Sequence, residues 1–585
     1  MVPEWLLRID TVTSAILTPL AIAILISGCD DLLVDIIWAI AWIGERIGGR
    51  PSALEKTPER QQKRIAIFVP LWKEHAVIRR MLEHNIAAID YESYDIFIGA
   101  YPNDDPTLQA IREIGARYHN VFLAVCPHEG PTSKADCLNW IYQRMLIHEE
   151  ECGIVYQMVV THDAEDIIHP QSLSTLAQHS DHFDMVQIPV LPLPTSPLEI
   201  IHGIYCDEFS ESQTKDMGVR RIMGSFTPSS GVGTGYSREA LDRLAMASNN
   251  CIFEPVCLTE DYENGMRLHH FGCPQIFVPL DREVATREYF PRNLRAAIRQ
   301  RTRWMTGIAL QTWERHGWKG SLGDVYWLWR DRKGLIGNPL SFATNILFVY
   351  CLATCWWMPA THRLSPHLAS ATLALLVYRT AVRMACVGRV YGLIFALAVP
   401  LRSVCANFVN AMASFLATYQ YARAKIRREP LRWLKTDHGY PSRAALVTHK
   451  RKLGEILAGS GYIGMDDLSE ALSTKPPELR LGEYLVMRGA LTESDLYEAL
   501  SLQQGLPAGQ VHRLDVAQNA ARALPRHVMR SWRVLPFRIA YGSLHVATPE
   551  VPTDDMTREL REFTSLDVRF QLVTSENFEE LMRSH

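Results

Sequence analysis

Cysteine is sparse and scattered in this chain of 585 residues: there are 12, all between Cys29 and Cys405, with no CxxC pair. That distribution excludes a disulfide framework and the spacing of a structural zinc site, and it suits reduced thiols. An excess of charge of one sign is also lacking. The formal net charge is −4 with 21% charged residues, which disfavours a general nucleic-acid binder, so no nucleic acid is expected among the partners. No Walker motif occurs, so the chain is not itself an ATPase. A hydrophobic share of 47% excludes a disordered chain, a collagen-like chain and a chain that lies wholly in the membrane. The length leaves room for about three to five structural units.

What is present is strongly uneven along the chain. Residues 11–29 (TVTSAILTPLAIAILISGC) carry no formal charge, which is enough to cross a bilayer core of ~30 Å. The weak basic start, and Asp30, Asp31 and Asp35 in place of a small-residue cleavage site, argue against a signal peptide. Residues 32–44 read as an apolar helix lying along the interface, and 50–62 as a polar linker. From Lys63 to about Trp318 apolar runs such as RIAIFVP, YDIFIGAYP and NVFLAVCP alternate with helical patterns. This predicts a mainly parallel sheet with helices on both faces and a ligand site beyond the carboxyl ends of the strands. Uncharged runs return at 334–361 and 364–378, the second ended by Arg379, Arg383 and Arg389. Residues 390–401 and 403–422 read as interfacial or re-entrant helices. The basic residues from Arg423 to Lys435 favour the cytoplasmic side. Two crossings are expected after the α/β part, with four as the alternative. The expected domains are therefore 1–62 (membrane helix, interfacial helix, linker), 63–330 (α/β part), 331–440 (membrane and interfacial helices) and 441–585 (a small α then α/β module).

Four polar motifs fall where such a sheet places its site: Val69-Pro70 with Glu74, Asn103-Asp104-Asp105, Thr161-His162-Asp163-Ala164-Glu165-Asp166, and Thr259-Glu260-Asp261. Gln300-Arg301-Thr302-Arg303-Trp304 follows. Carboxylates gathered at strand ends repel one another unless a cation sits among them, and hard ions such as Mg²⁺ or Mn²⁺ share their shell between carboxylate and phosphate oxygens. Asp163 with Glu165 thus points to a metal-held diphosphate, with Asp166 as an alternative ligand. The separate carboxylate of Asp261 suits a general base toward a hydroxyl. Arg303 would steady leaving-group charge, and Trp304 offers a flat face for a sugar ring. The histidines at 162, 269 and 270 are assigned no metal.

This set resembles the membrane-bound, processive branch of the family 2 glycosyltransferases, which includes cellulose and hyaluronan synthases, over about residues 64–440. The DAE variant of the DxD motif, the TED triplet and QxxRW carry the resemblance, and QxxRW is the most specific of them. Lys134-Ala135-Asp136-Cys137-Leu138-Asn139 is similar to the family's Lys-x-x-x-Leu-Asn segment. Gly233-Thr234-Gly235-Tyr236 resembles its acceptor-side turn, and Trp433-Leu434-Lys435-Thr436 the stretch that closes its membrane region. The resemblance implies the nucleotide-diphospho-sugar transferase fold and an inverting transfer. It implies donor binding by Glu74, Asp104, Lys134, Asp163, Gln300, Arg303 and Trp304, and metal binding by Asp163 and Glu165. Acceptor binding would fall to Glu260, Gly233, Thr234 and Trp304, with Asp261 as the catalytic base. Glu165 stands where the family has a second Asp, which lengthens the arm and keeps two oxygens. The whole organisation resembles phage-adsorption proteins of the NfrB type. This implies an inner-membrane, multi-pass transferase of an exopolysaccharide system, with an outer-membrane β-barrel partner that phage use as receptor.

Residues 450–585 contain a repeat of period 28: Leu453-Gly454-Glu455 matches Leu481-Gly482-Glu483, Gly461 matches Gly489, and Ala471-Leu472 matches Ala499-Leu500. Each unit reads as two short helices joined by a Gly-bearing turn. The repeat resembles the MshEN domain of type II secretion and pilus ATPases, which binds cyclic di-GMP. By that resemblance Lys452, Leu453, Gly454, Gly461, Arg480, Leu481, Gly482, Leu485, Gly489 and Gln503 would hold the dinucleotide. Lys452 replaces the family's Arg in the first unit, which keeps charge but loses planar stacking and forked hydrogen bonding.

The expected activity is transfer of a sugar from a UDP-sugar to a growing exopolysaccharide on the cytoplasmic face, coupled to export and regulated by cyclic di-GMP. A catalytically idle envelope scaffold and a single-addition transferase charging a lipid carrier are the alternatives.

Overall fold

The apolar runs expected as strands line up in one sheet, seen in a computed structural model that describes residues 4–47, 62–280, 284–354, 365–429, 431, 453, 454, 457, 462–476, 479–504, 506–540, 543–564 and 566–584. Two units are distinguished, residues 1–79 with 90–440, and residues 80–89 with 441–585.

Along the chain α1 (Glu4–Ile47) precedes β1 (Ile65–Pro70), α2 (His75–Ala88, whose residues from Arg80 onward count with the second unit), β2 (Tyr94–Ala100), α3 (Asp105–Gly115), β3 (Val121–Val125), α4 (Lys134–Cys152) and β4 (Met158–Thr161). Then come α5 (Ser172–His179), β5 (Met185–Gln187), β6 (Val190–Pro192), α6 (Ile200–Glu211), a π-helical turn (Ser212–Asp216), α7 (Met217–Ile222), β7 (Thr234–Ser237) and α8 (Arg238–Ala247). The α/β part ends with α9 (Glu260–His270), β8 (Gln275–Phe277), β9 (Thr286–Glu288), α10 (Leu294–Trp304), a second π-helical turn (Met305–Gln311), α11 (Thr312–His316) and α12 (Leu322–Arg332).

The main sheet has the order β3-β2-β1-β4-β7-β5-β8. All neighbours are parallel except β7, which runs antiparallel to β4 and β5. Strands β1 and β2 are buried almost throughout, which is why they read as continuous apolar runs and not as an alternation. The chain builds outward from β1 to β3 and then returns to add β4 on the other side of β1. The switch point therefore lies between β1 and β4, whose carboxyl ends lead into Pro70–Glu74 and Thr161–Asp166. A small second sheet pairs β6 with β9. A bridge from Ile167 to Arg287 ties β9 to the acidic turn, with Ile167 N–H donating to Arg287 O at 2.8 Å.

The membrane part is α13 (Gly334–Thr354), α14 (Pro366–Tyr391), α15 (Leu393–Ala396) and α16 (Val399–Arg427). Three helical stretches are long and apolar enough to cross a membrane, Arg8–Gly44, Gly334–Thr354 and Pro366–Tyr391, so the chain is a membrane protein. Two expectations change. Residues 32–44 are not a separate interfacial helix, because α1 is continuous over 44 residues. Its aspartates do not end it because cations from other elements pair with them: Arg330 and Lys333 with Asp30 and Asp31, Arg379 with Asp31, and Lys215 with Asp35. The same pairing lets α14 run past Arg379 and Arg383 to Tyr391, Arg383 meeting Glu211 at 2.6 Å. The boundary expected between residues 390–401 and 403–422 also moves: the first segment holds the end of α14, the short α15 and the start of α16, and 403–422 lies wholly inside α16, which runs unbroken from 399 to 427. The expected linker at 50–62, except its last residue Gln62, and Trp433–Thr436 lie outside the described residues.

The second unit holds α17 (Met465–Thr474), α18 (Leu481–Met487), α19 (Glu493–Gln504), α20 (Gln518–Ala521), α21 (Arg526–Ser531), β10 (Leu535–Ala540), β11 (Ser543–Thr548), α22 (Asp554–Phe563), β12 (Asp567–Leu572) and α23 (Ser575–Ser584). Its sheet, β10-β11-β12, is antiparallel then parallel. The second repeat unit is α18 and α19, joined through Gly489 at φ 70°, a left-handed conformation that glycine adopts without a Cβ penalty.

Candidate active site

The element ends around the site each present one or more polar groups. Ser133 caps α4 by accepting the Asp136 N–H at 3.2 Å, so Lys134 begins the helix. Its Nζ lies 2.6 Å from Asp163 Oδ1, just after β4. Glu260 and Asp261 occupy the first turn of α9. Asn293 caps α10 by accepting the Ala296 N–H at 2.8 Å, and the far end of that helix carries Gln300, Arg303 and Trp304. Lys134, Asp163, Glu260, Asp261, Gln300, Arg303 and Trp304, with Glu74, Glu165 and Glu288, line one cavity of about 540 Å³. Asp163, Asp261 and Arg303 thus share a single space although they are far apart in sequence.

Asp163, Glu165 and Glu288 offer carboxylate oxygens that all lie within 4.8 Å of one another. Burial, and then the charges of Asp166, Glu165 and Asp163, drive the Glu288 carboxyl well above the usual carboxylate range. Three hard oxygen donors this crowded fit Mg²⁺ or Mn²⁺. Glu288 was not anticipated from sequence. Asp166 faces elsewhere: its Oδ2 lies 2.8 Å from His162 Nδ1 and accepts the Asp163 N–H at 3.0 Å. Burial pushes the Asp166 carboxyl up and holds His162 down at about 3, and their contact braces the acidic turn.

The base candidate sits in a tight seat. Asp261 Oδ1 accepts the Tyr262 N–H at 2.8 Å, and its other oxygen rests over Gly231. Burial raises the Asp261 carboxyl, opposed by Lys134 and Arg303. Burial and the neighbouring Asp261 lift Glu260 to about 7. Burial works against the charge of Lys134, but Asp163, Glu260 and Asp261 outweigh it and raise its affinity for the proton. Among the described residues Gln300 Oε1 and Arg303 Nε have no hydrogen-bond partner, as suits groups aimed at a ligand. Trp304 is held by Tyr205 at 6.0 Å and Phe209 and Phe290 at 6.3 Å between ring centroids.

Not every expected residue reaches the cavity. Asp104 is buried at the start of α3, where Oδ2 accepts the Lys73 N–H at 2.5 Å. Gly233 and Thr234 lie at the entrance to β7, and the Thr234 hydroxyl donates to Gln187 Oε1 at 2.7 Å. None of the three is on the cavity wall. The second π-helical turn supports the site from behind: Gln311 Oε1 accepts the Leu258 N–H at 3.0 Å, and Thr259 packs onto Gly307 where a Cβ would stand.

In the second unit Arg480 is exposed at the start of α18. Leu485 belongs to its core and the half-buried Leu481 packs against it, and Leu453 and Gly454 form part of a helical turn. Gly489 shapes the turn after α18, and Gln503 ends α19 beside Gln504. Lys452 and Gly461 lie outside the described residues.

Residues 62–307 match the model of the glycosyltransferase-like family 2, and residues 504–585 that of the MshEN domain, a match that begins after the repeat. The mainly parallel sheet with the site at its switch point is the fold of a glycosyltransferase, here joined to an MshEN domain. The bacteriophage adsorption protein B of Escherichia coli K12 is 33% identical over 94% of this chain and 79% of its own length. The bacteriophage N4 adsorption protein B of Escherichia coli O157:H7 matches equally. The chain belongs to this bacteriophage adsorption protein B family. A mannosyltransferase from Pyrobaculum calidifontis, solved with GDP-Man and Mn²⁺, superposes at a TM-score of 0.42 with 17% identity, over 66% of this chain and 99% of that one.

Proposed function

We propose that the chain transfers a hexose from a UDP-sugar to a hydroxyl of a growing exopolysaccharide, with inversion, at the cytoplasmic face of a bacterial inner membrane. The observation that carries the reading is the convergence of Lys134, Asp163, Asp261, Gln300, Arg303 and Trp304 on one cavity. Asp163, Glu165 and Glu288 would hold a Mg²⁺ or Mn²⁺ ion, which when bound supplies neutralising charge for the donor diphosphate. Lys134 and Arg303 place cationic groups beside the same phosphates, where they offset the charge that builds on the leaving nucleotide. Asp261, ionised, takes the proton of the acceptor hydroxyl. The oxygen then bonds to the anomeric carbon as the bond to the nucleotide diphosphate breaks. Trp304 presents an aromatic face to the sugar. Glu74 and Gln300 line the donor side, and Asp104 supports that side from behind through Lys73.

The membrane helices provide the export path, an outer-membrane β-barrel receives the product, and the C-terminal module senses cyclic di-GMP through Arg480 and its repeat. A screen of UDP-sugars in purified membranes, read as UDP release with Mn²⁺ or Mg²⁺, tests the activity. Turnover is expected with one donor and should vanish in Asp261→Asn; unchanged turnover in that variant defeats the assignment.

A further inference from the structure

The base candidate is aimed by the first turn of α9, and that turn is held from an unexpected side. Tyr262, 4% exposed, gives its amide to Asp261, and its hydroxyl donates to Asp331 Oδ2 at 2.5 Å. Asp331 also accepts both terminal nitrogens of Arg220, at 3.1 and 2.8 Å. The Arg220 Nε donates to Phe226 O at 2.9 Å, and the guanidinium lies 4.3 Å from the centre of the Phe226 ring. Phe226 in turn meets the Tyr262 ring edge-on at 5.4 Å. The tyrosine is thus fixed at its ring, its hydroxyl and its amide. Asp331 is the penultimate residue of α12, which leads into the membrane helix α13. Its neighbour Arg330 pairs with Asp30 and Asp31 of α1, at 2.5 and 3.0 Å.

A buried ion pair is poor glue, because well-packed apolar residues of the same volume usually stabilise as much. What charge and forked hydrogen bonds add is direction. Arg220, Tyr262 and Asp331 border the same cavity as Asp261, so the direction they fix is that of the site. We propose that Asp331 is a positioning residue for the transfer. Through Tyr262 it sets the amide that orients the Asp261 carboxylate, and through α12 it ties that orientation to the membrane helices. The inference rests on the reading of Asp261 as the base.

The test uses the full-length protein in membranes with the UDP-sugar that the donor screen selects. Tyr262→Phe removes one hydroxyl and leaves the Arg220–Asp331 pair intact, so it spares the fold. Turnover is expected to fall about tenfold, since small misplacements of a reacting group are costly, with the donor KM within about twofold. The acid limb of the pH profile should move up by about half a unit, because the amide that favours ionised Asp261 is loosened. Lys134, Arg303, Asp163 and Glu260, the charged groups facing Asp261, are untouched by the change, and a purely structural loss leaves that limb in place. Asp331→Asn should behave alike, and the double variant no worse than Asp331→Asn alone. A Tyr262→Phe enzyme with unaltered turnover and an unmoved limb overturns the inference while Asp261→Asn remains inactive. Full activity of Asp261→Asn, or no turnover of any donor by the unmodified protein, overturns the base assignment and the inference with it.

Discussion

Asp261 rests on the backbone of Gly231: a Cβ built on that glycine would stand 2.5 Å from Asp261 Oδ2, and its φ is 77°. Both facts require glycine, one for space and one for conformation. Gly231→Ala is expected to lower turnover about a hundredfold by pushing the carboxylate off its seat. The left-handed conformation itself costs about 1–2 kcal/mol with a side chain, so thermal unfolding should shift only modestly. Turnover in membranes and a thermal melt, taken together, check the disproportion; a matched loss of both would mean that Gly231 serves folding alone.

The acid limb should lie above the ordinary carboxylate range. Asp261 works only when ionised, and burial raises its carboxyl, so turnover declines as pH falls through a value above the usual ~4. Glu260, lifted to about 7 by burial and by the charge of Asp261, is still protonated where Asp261 ionises, so Glu260→Gln should leave that limb in place. Stability has its own sign. A carboxyl raised in the folded state contributes stability that is present below its unfolded value and lost as pH rises through the folded value. The unmodified protein should therefore lose melting temperature between about pH 4.5 and about 7 more steeply than Glu260→Gln, as paired melts would show.

Glu288 belongs to the cation set by proximity alone. Asp163→Asn, which also loses its partner Lys134, should abolish turnover. Glu288→Gln keeps size and removes one charged donor. It should raise the Mn²⁺ concentration for half-maximal turnover by about tenfold or more, the scale on which a metal site responds to a lost supporting group. Chelator-stripped protein titrated with Mn²⁺ gives the measurement, and an unshifted titration would remove Glu288 from the set.

The sequence displays what a local pattern can carry. β1 and β2 were legible because strands buried on both faces are apolar at nearly every position, Asp95 of β2 being paired with Arg64. Gln300 and Arg303 were legible because a three-residue step puts them on one helix face. Glu288 was not, since it reaches Asp163 only through the bridge between Ile167 and Arg287, and no spacing encodes a bridge. The continuity of α1 was hidden for a related reason. Asp30, Asp31 and Asp35 read as the end of a membrane helix, yet their cations come from about 180 to 350 residues further along the chain. Asp104 and Thr234 show the converse: motif membership named them, while local hydrogen bonds to Lys73 and Gln187 turned them away from the cavity.

Two neighbouring residues of the C-terminal repeat should separate packing from recognition. A Cβ on Gly482 would run into the Leu496 side chain, and one on Gly454 would stand 3.0 Å from Leu468. Each repeat glycine therefore lets one helix lie against a leucine of the next, a packing role that needs no ligand. Gly482→Ala should overpack that contact at a cost of about 1–3 kcal/mol and lower the melting temperature. Arg480 is exposed and its backbone N–H donates to Glu483 Oε2 at 3.3 Å, a bond that truncation of the side chain leaves intact. Arg480→Ala should melt like the unmodified protein. In calorimetry of the full chain with cyclic di-GMP, the unmodified protein should release binding heat and Arg480→Ala should release none. Equal heat from both would place recognition elsewhere in the module; heat from neither would leave the repeat as a helical scaffold whose glycines serve packing alone.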